Sequence, residues 1–152
     1  MGQITFGTTN PAVMTTTKQY DNLNRLTSIQ SSAGGTVVSS FAYAYNIAGQ
    51  RTAVTNADGS YWVYAYDSLG QVTSGKRHWS DASLVAGQQF EYLFDDIGNR
   101  QSTKAGGDQS GASLRPATYT ANDLNQYTQR TVPGYVSVLG TANSAATVAG
   151  SN

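Results

Sequence analysis

His78 is the only histidine in the chain; Lys76 and Arg77 precede it, Trp79 follows, and Asp81 is close by. One imidazole cannot build a multi-histidine metal site, and it gives a Ser-His-Asp triad a single candidate base. Glu91 is likewise the only glutamate. A glycosidase needs two carboxylates facing each other across a sugar, and the neighbouring pair Asp95 and Asp96 reads as part of a turn, where adjacent side chains point apart. No acid–base pair can be assembled, so an enzyme is not expected. Calcium could be held by Asp95, Asp96 and Asp108, or by Asp58, since loop carboxylates suit hard cations. The chain has no EF-hand or Gly-Gly-x-Gly-x-Asp array, and turn initiation explains these aspartates better; no metal and no cofactor are expected. Trp62, Trp79 and the tyrosines have faces that could stack on sugar rings. Trp79, His78 and Trp62 are therefore the candidate ligand contacts, with the packed face of a sheet as the competing role.

The elements that must position these groups are β-strands. Among 152 residues there are 16 Gly, 10 Tyr, no Cys and only 12% charged residues. Tyr and Thr suit pleated, half-buried surfaces, and Gly, Ser, Asn and Asp suit turns. The absence of cysteine excludes disulfides and thiolate metal sites. Nine basic residues balance nine acidic ones, which removes the long-range field that draws proteins to nucleic acid or anionic membranes. No apolar run reaches the length of a membrane helix, so neither a nucleic-acid partner nor membrane insertion is expected.

The chain repeats itself. Tyr20-Asp21-Asn22-Leu23-Asn24-Arg25-Leu26, Tyr45-Asn46-Ile47-Ala48-Gly49-Gln50-Arg51, Tyr66-Asp67-Ser68-Leu69-Gly70-Gln71-Val72 and Phe94-Asp95-Asp96-Ile97-Gly98-Asn99-Arg100 align without gaps. A fifth copy, Ala121-Asn122-Asp123-Leu124-Asn125-Gln126-Tyr127, has lost its first aromatic residue. The second column is always Asp or Asn, which starts turns by accepting from backbone N–H groups two residues on. The fourth is apolar and is expected to tuck under the turn. The fifth is Gly or Asn, the residues that most readily take positive φ. Asp21, Asn46, Asp67, Asp95 and Asn122 should therefore open, and Asn24, Gly49, Gly70, Gly98 and Asn125 close, a tight hairpin connection.

Aromatic residues alternate before the turns: Phe41, Tyr43 and Tyr45; Trp62, Tyr64 and Tyr66; Phe90, Tyr92 and Phe94. Period two marks strands with a common aromatic face. Reversals at Ala33-Gly34-Gly35, Ala57-Asp58-Gly59-Ser60 and Pro133-Gly134 separate the repeats. Each repeat is then two strands and two turns, and the whole is an all-β antiparallel meander of roughly ten strands. Residues 75–87 and 105–116, rich in Gly, Ser and Asp, read as long surface loops. The expected organisation is a lead-in over 1–15, with a strand candidate at Ile4–Phe6, then about five repeats over 16–133. A last strand at Tyr135–Leu139 and a low-complexity tail fill 134–152.

The tandem Tyr-Asp-x-x-Gly-Arg pattern resembles the YD repeat of the Rhs/YD-repeat family. Departures are Asn24 and Asn125 for Gly, Gln50 and Gln71 for Arg, and Ala121 for Tyr, so the last copy is expected to pack less well. The resemblance implies a segment of a sheet ribbon that spirals into a hollow β-shell, as in bacterial Rhs and insecticidal toxin-complex proteins and in teneurins. The toxins enclose a toxic C-terminal polypeptide in this shell, whereas in teneurins it supports adhesion. The autoproteolytic aspartate pair of the toxin class belongs to a core segment that has no counterpart here, and Asp95-Asp96 does not inherit its activity. The expected role is a non-enzymatic wall segment that encapsulates or scaffolds, part of a larger bacterial toxin or cell-surface protein that is secreted or held at the cell surface, partnered by flanking repeats, by self-association through sheet edges, or by an enclosed polypeptide. The alternative is a glycan- or protein-binding module that uses the exposed aromatics and the two loops.

Overall fold

The computed structural model describes residues 2–6 and 14–134; the expected strand at Tyr135–Leu139 and the tail lie outside the described residues. Eleven strands follow one another: β1 (Gly2–Phe6), β2 (Met14–Tyr20), β3 (Leu26–Ala33), β4 (Thr36–Tyr45), β5 (Arg51–Asn56), β6 (Tyr61–Tyr66), β7 (Val72–His78), β8 (Leu84–Phe94), β9 (Arg100–Gly106), β10 (Leu114–Ala121) and β11 (Tyr127–Arg130). Each pairs antiparallel with the next in one open sheet, with β1 and β11 at its edges. No helix occurs among the described residues. Short connections force this order, because a hairpin turn can only join neighbours.

The repeat sets the register. In every copy the first column pairs with the seventh: Tyr20 with Leu26, Tyr45 with Arg51, Tyr66 with Val72, Phe94 with Arg100 and Ala121 with Tyr127. A register shift falls immediately before each of these pairs, as expected where a left-handed residue closes a turn with a bulge. All five turns join an even strand to the following odd one, so they line one rim of the ribbon, and the other connections line the opposite rim.

The ribbon is one layer thick, and its interior is correspondingly small. Val85 and Ala117 are the buried hydrophobic side chains among the described residues. One face carries the aromatics, where Trp62 stacks on Tyr64 and Phe90 at 6.3 and 6.1 Å between ring centroids. Gly75 lies in the backbone beneath Tyr64 and Trp62; a Cβ there would sit 3.4 Å from the Tyr64 ring. Arg51 lies over Tyr43 at 4.3 Å and Arg100 over Tyr92 at 5.0 Å, cross-strand stacks that shield rings a second layer would otherwise cover. The alternate residues of β7, β8 and β9 put charge on the other face: Glu91 accepts from Lys76 at 2.9 Å and meets Lys104 at 3.5 Å.

Three expectations need correction. Residues 75–87 are not a long loop, because β7 and β8 run through most of them and leave a five-residue turn from Trp79 to Ser83. Residues 105–116 shrink in the same way to the connection between Gly106 and Leu114. Gly, Ser and Asp are loop-forming by composition, but a single-layer sheet can hold polar strand residues on both faces. The fourth-column side chains do not tuck under their turns either: Leu23, Ala48, Leu69, Ile97 and Leu124 are all exposed. A turn at the rim of one layer has nothing beneath it.

Candidate functional site

The rim of repeated turns is the most regular chemistry in the molecule. In each turn the opening residue donates its N–H to the carbonyl four residues on, as from Asp67 to Gln71 at 3.0 Å, and its carbonyl accepts from the closing residue, as from Gly70 at 3.2 Å. Its side-chain oxygen then takes up inner N–H groups. Asp67 Oδ1 accepts from Leu69 and Gln71, Asp21 Oδ1 from Leu23 and Arg25, Asp95 Oδ1 from Ile97 and Asn99, and Asn122 Oδ1 from Leu124 and Gln126. Asn46 Oδ1 accepts from Gln50 at 3.0 Å. The closing residues Asn24, Gly49, Gly70, Gly98 and Asn125 all have positive φ, between 60° and 92°. A short Asx side chain satisfies donors that a turn leaves free, and this is why Asp and Asn alternate in the second column without changing the backbone.

The first-column tyrosines tie each repeat to the one before. Tyr45 Oη donates to the Leu26 carbonyl at 2.8 Å and Tyr66 Oη to the Arg51 carbonyl at 2.7 Å, both seventh-column residues of the preceding copy. In the fifth copy Tyr127, paired with Ala121 across the turn, places its hydroxyl 2.7 Å from the N–H of Arg100, at the same station. Its ring also meets Tyr119 at 5.5 Å. The lost aromatic at 121 is thus replaced from the opposite strand. Phe94 has no hydroxyl to offer Val72. Phe94→Tyr should complete the series and raise stability by about 1 kcal/mol, the net worth of one hydrogen bond. Thermal unfolding checks this, and an unchanged or lower midpoint would count against the tyrosine's role as a tie.

The opposite rim uses the same backbone device without the tyrosine. Asn56 donates to Ser60 and accepts from Gly59, Trp79 donates to Ser83 and accepts from Ala82, and Asp108 donates to Ala112 and accepts from Gly111. Two of these turns carry the Asx-x-x-Gly spacing of the repeat, Asn56 to Gly59 and Asp108 to Gly111, and that spacing could have located them in the sequence.

Six carboxylates accept hydrogen bonds that hold them in the ionised form. The Arg25 N–H holds Asp21 below its ordinary value, and the serine hydroxyls of Ser60, Ser83 and Ser110 do the same for Asp58, Asp81 and Asp108. Partial burial pushes Asp95 up, but hydrogen bonds from the Asn99 side chain and backbone outweigh it and leave the carboxyl lowered. The Lys76 hydrogen bond lowers Glu91. Each stays ionised where a general acid would need a raised pKa. Asp95 and Asp108 lie at opposite rims, and no cluster of three or more His, Asp or Glu side chains that could hold a metal is found among the described residues.

The three candidate ligand contacts separate. His78 stacks on Tyr61, its partner across β6 and β7, at 5.0 Å with Nδ1 3.0 Å from the Ala82 carbonyl. Trp79 starts the neighbouring turn, half exposed beneath Arg77 at 5.8 Å. Trp62 instead lines an open groove of about 500 Å³ with Phe41, Asp58 and Arg77. Arg77 donates there to the buried Ser60 hydroxyl at 2.9 Å and to Gln88 at 3.1 Å.

Residues 39–79 match a family model described as RHS Repeat. No curated protein sequence matches the chain. Among solved structures, the crystal structure of TcdB2-TccC3-Cdc42 is similar at 19% identity with a TM-score of 0.62, and that of TcdB2-TccC3-TEV at 20% with 0.61. A third, TcdB2-TccC3 without its hypervariable C-terminal region, is similar at 20% with 0.61. Each similarity covers 75% of this chain but 6% of the other chain. Likeness at this identity concerns the fold.

Proposed function

The chain carries the repeats of the Rhs/YD-repeat family, and from that premise we propose that it is a stretch of wall in a larger β-shell, without turnover of its own. It is a structural YD-repeat segment; enclosure of a polypeptide cargo, a bacterial source and a secreted or cell-surface location are the finer parts of the reading. The observation that carries it is the open, single-layer sheet, which among the described residues has an unpaired strand at each edge and almost no interior. Such a ribbon gains from neighbours, because further repeats would pair its edges and a closed shell would shield one face. Its action would be steric. A sheet satisfies its own backbone hydrogen bonds and forms a barrier to protease and solvent. The proposed extents are 16–133 for the repeats, with flanking segments on either side.

A tandem duplication of residues 67–94 tests the reading. It inserts one whole repeat between equivalent turn positions, so a modular wall should accept it, keep its strand content by circular dichroism and unfold at an equal or higher temperature. Loss of cooperative unfolding would end the wall reading.

The groove beside Trp62 favours a second reading, glycan contact through the aromatic face. A glycan array would show binding that Trp62→Ala removes and Trp79→Ala leaves; binding lost only with Trp79→Ala would move the site to the turn at 79–83, and no binding by the parent chain would remove the reading.

A further inference from the structure

Five aliphatic side chains stand at the tips of the five repeated turns: Leu23, Ile47, Leu69, Ile97 and Leu124. Leu69, the least exposed, keeps 64% of its surface, and Ile47 is fully exposed. In the second copy the apolar residue moves one position, Ile47 standing next to Ala48, and yet it still projects from the tip. None contributes to the fold described above, and isolated exposed aliphatics are ordinary. Five in register on one rim are not isolated. The turns recur on every second strand, so the tips are spaced by two strand separations, roughly 10 Å.

That spacing selects the occupant. A partner that covers all five tips must present apolar groups at the same interval, and the tip row of a second copy does so by construction. Full burial of a Leu or Ile side chain corresponds to roughly 100 Å² at the usual transfer coefficient. Five tips from each of two rims would then cover roughly 1,000 Å², the lower bound for a specific but weak interface. The opposite rim is less regular, with Gly34, Gly35, Ala57 and Asp58 at two of its turns and the exposed Trp79 at a third, so it offers no aliphatic row at the same interval. We infer that the tip row is an interaction surface for a second copy of this chain, which docks rim to rim through its own tips in an isologous pair. This surface lies at the ends of the strands and is independent of the β1 and β11 edges.

Sedimentation equilibrium of the full chain over a wide concentration range, with the variant Leu69→Asn/Ile97→Asn/Leu124→Asn and a separate edge variant Thr128→Pro, tests the inference. The parent should form a dimer whose dissociation constant rises at least tenfold in the triple variant and changes little in the edge variant. Circular dichroism should be the same for the parent and the triple variant, since the three side chains make no interior. Association that the triple variant retains in full, or association abolished by Thr128→Pro alone, would overturn the inference; so would a parent chain that stays monomeric throughout. The repeat duplication described above fails or succeeds separately from this result.

Discussion

Gly107→Ala should be among the most damaging single methyl groups that can be added to this chain. Gly107 has a φ of 80°, and a Cβ there would lie 2.8 Å from both Cδ and Nε2 of Gln89. Gln89 cannot step aside, because it is fully buried and its Nε2 donates to the Asp108 carbonyl at 2.6 Å. A Cβ on Gly111 would come within 3.7 Å of its Oε1. Left-handed strain contributes about 1–2 kcal/mol and overpacking about 1–3 kcal/mol, for a total loss of roughly 2–5 kcal/mol. Two other glycines separate these causes. Gly49 has a φ of 79° but open space where its Cβ would be, so Gly49→Ala should show the backbone part alone, about 1 kcal/mol. Gly134 has neither positive φ nor a close neighbour, and its alanine variant should be nearly neutral. Denaturant titration of the three gives the order, and Gly107→Ala no worse than Gly49→Ala would show that Gln89 is free to move.

The same region shows where the sequence stops being readable. The repeated turns were legible because their signal is local: an Asx acceptor and, three residues on, a residue that tolerates positive φ. The meander follows from the short connections alone. Ala82 and Ser113, in contrast, have positive φ without being Gly or Asn, so the turn at 79–83 lacks the usual residue at its closing position. Gln89 reads as an ordinary polar strand residue, and its burial depends on Gly107 and Gly111, about 18 and 22 positions away. The hydroxyl of Tyr127 takes over a station vacated at 121 because the two residues face each other across a turn, a relation that exists only once the register is fixed. The tips misled for a related reason. An apolar residue in a turn usually means a core below it, and a one-layer ribbon has none.

Asp67→Ala should cost roughly 1–2 kcal/mol, whereas Asp67→Asn should cost less than about 0.5 kcal/mol. Asp67 is the cleanest place to measure the opening residue, since Asp21 also pairs with Arg25 and Asp95 also accepts from the Asn99 side chain. Its Oδ1 takes the N–H groups of Leu69 and Gln71 at 2.9 and 2.8 Å. Alanine frees both; water can satisfy the exposed Leu69 N–H, but the half-buried Gln71 N–H is less easily served. Asparagine keeps an acceptor in place, as Asn46 and Asn122 do at equivalent turns with distances of 3.0 Å. Urea unfolding of the two variants therefore distinguishes a geometric role from an electrostatic one. Equal losses would mean that the charge matters, and no loss in the alanine variant would mean that Gly70 alone holds the bend. Combining Asp67→Ala with Gly70→Ala then asks whether the two ends of the turn act as one unit. A double variant less damaged than the sum of the singles would show that they do, because a turn already opened at one end has little left to lose at the other.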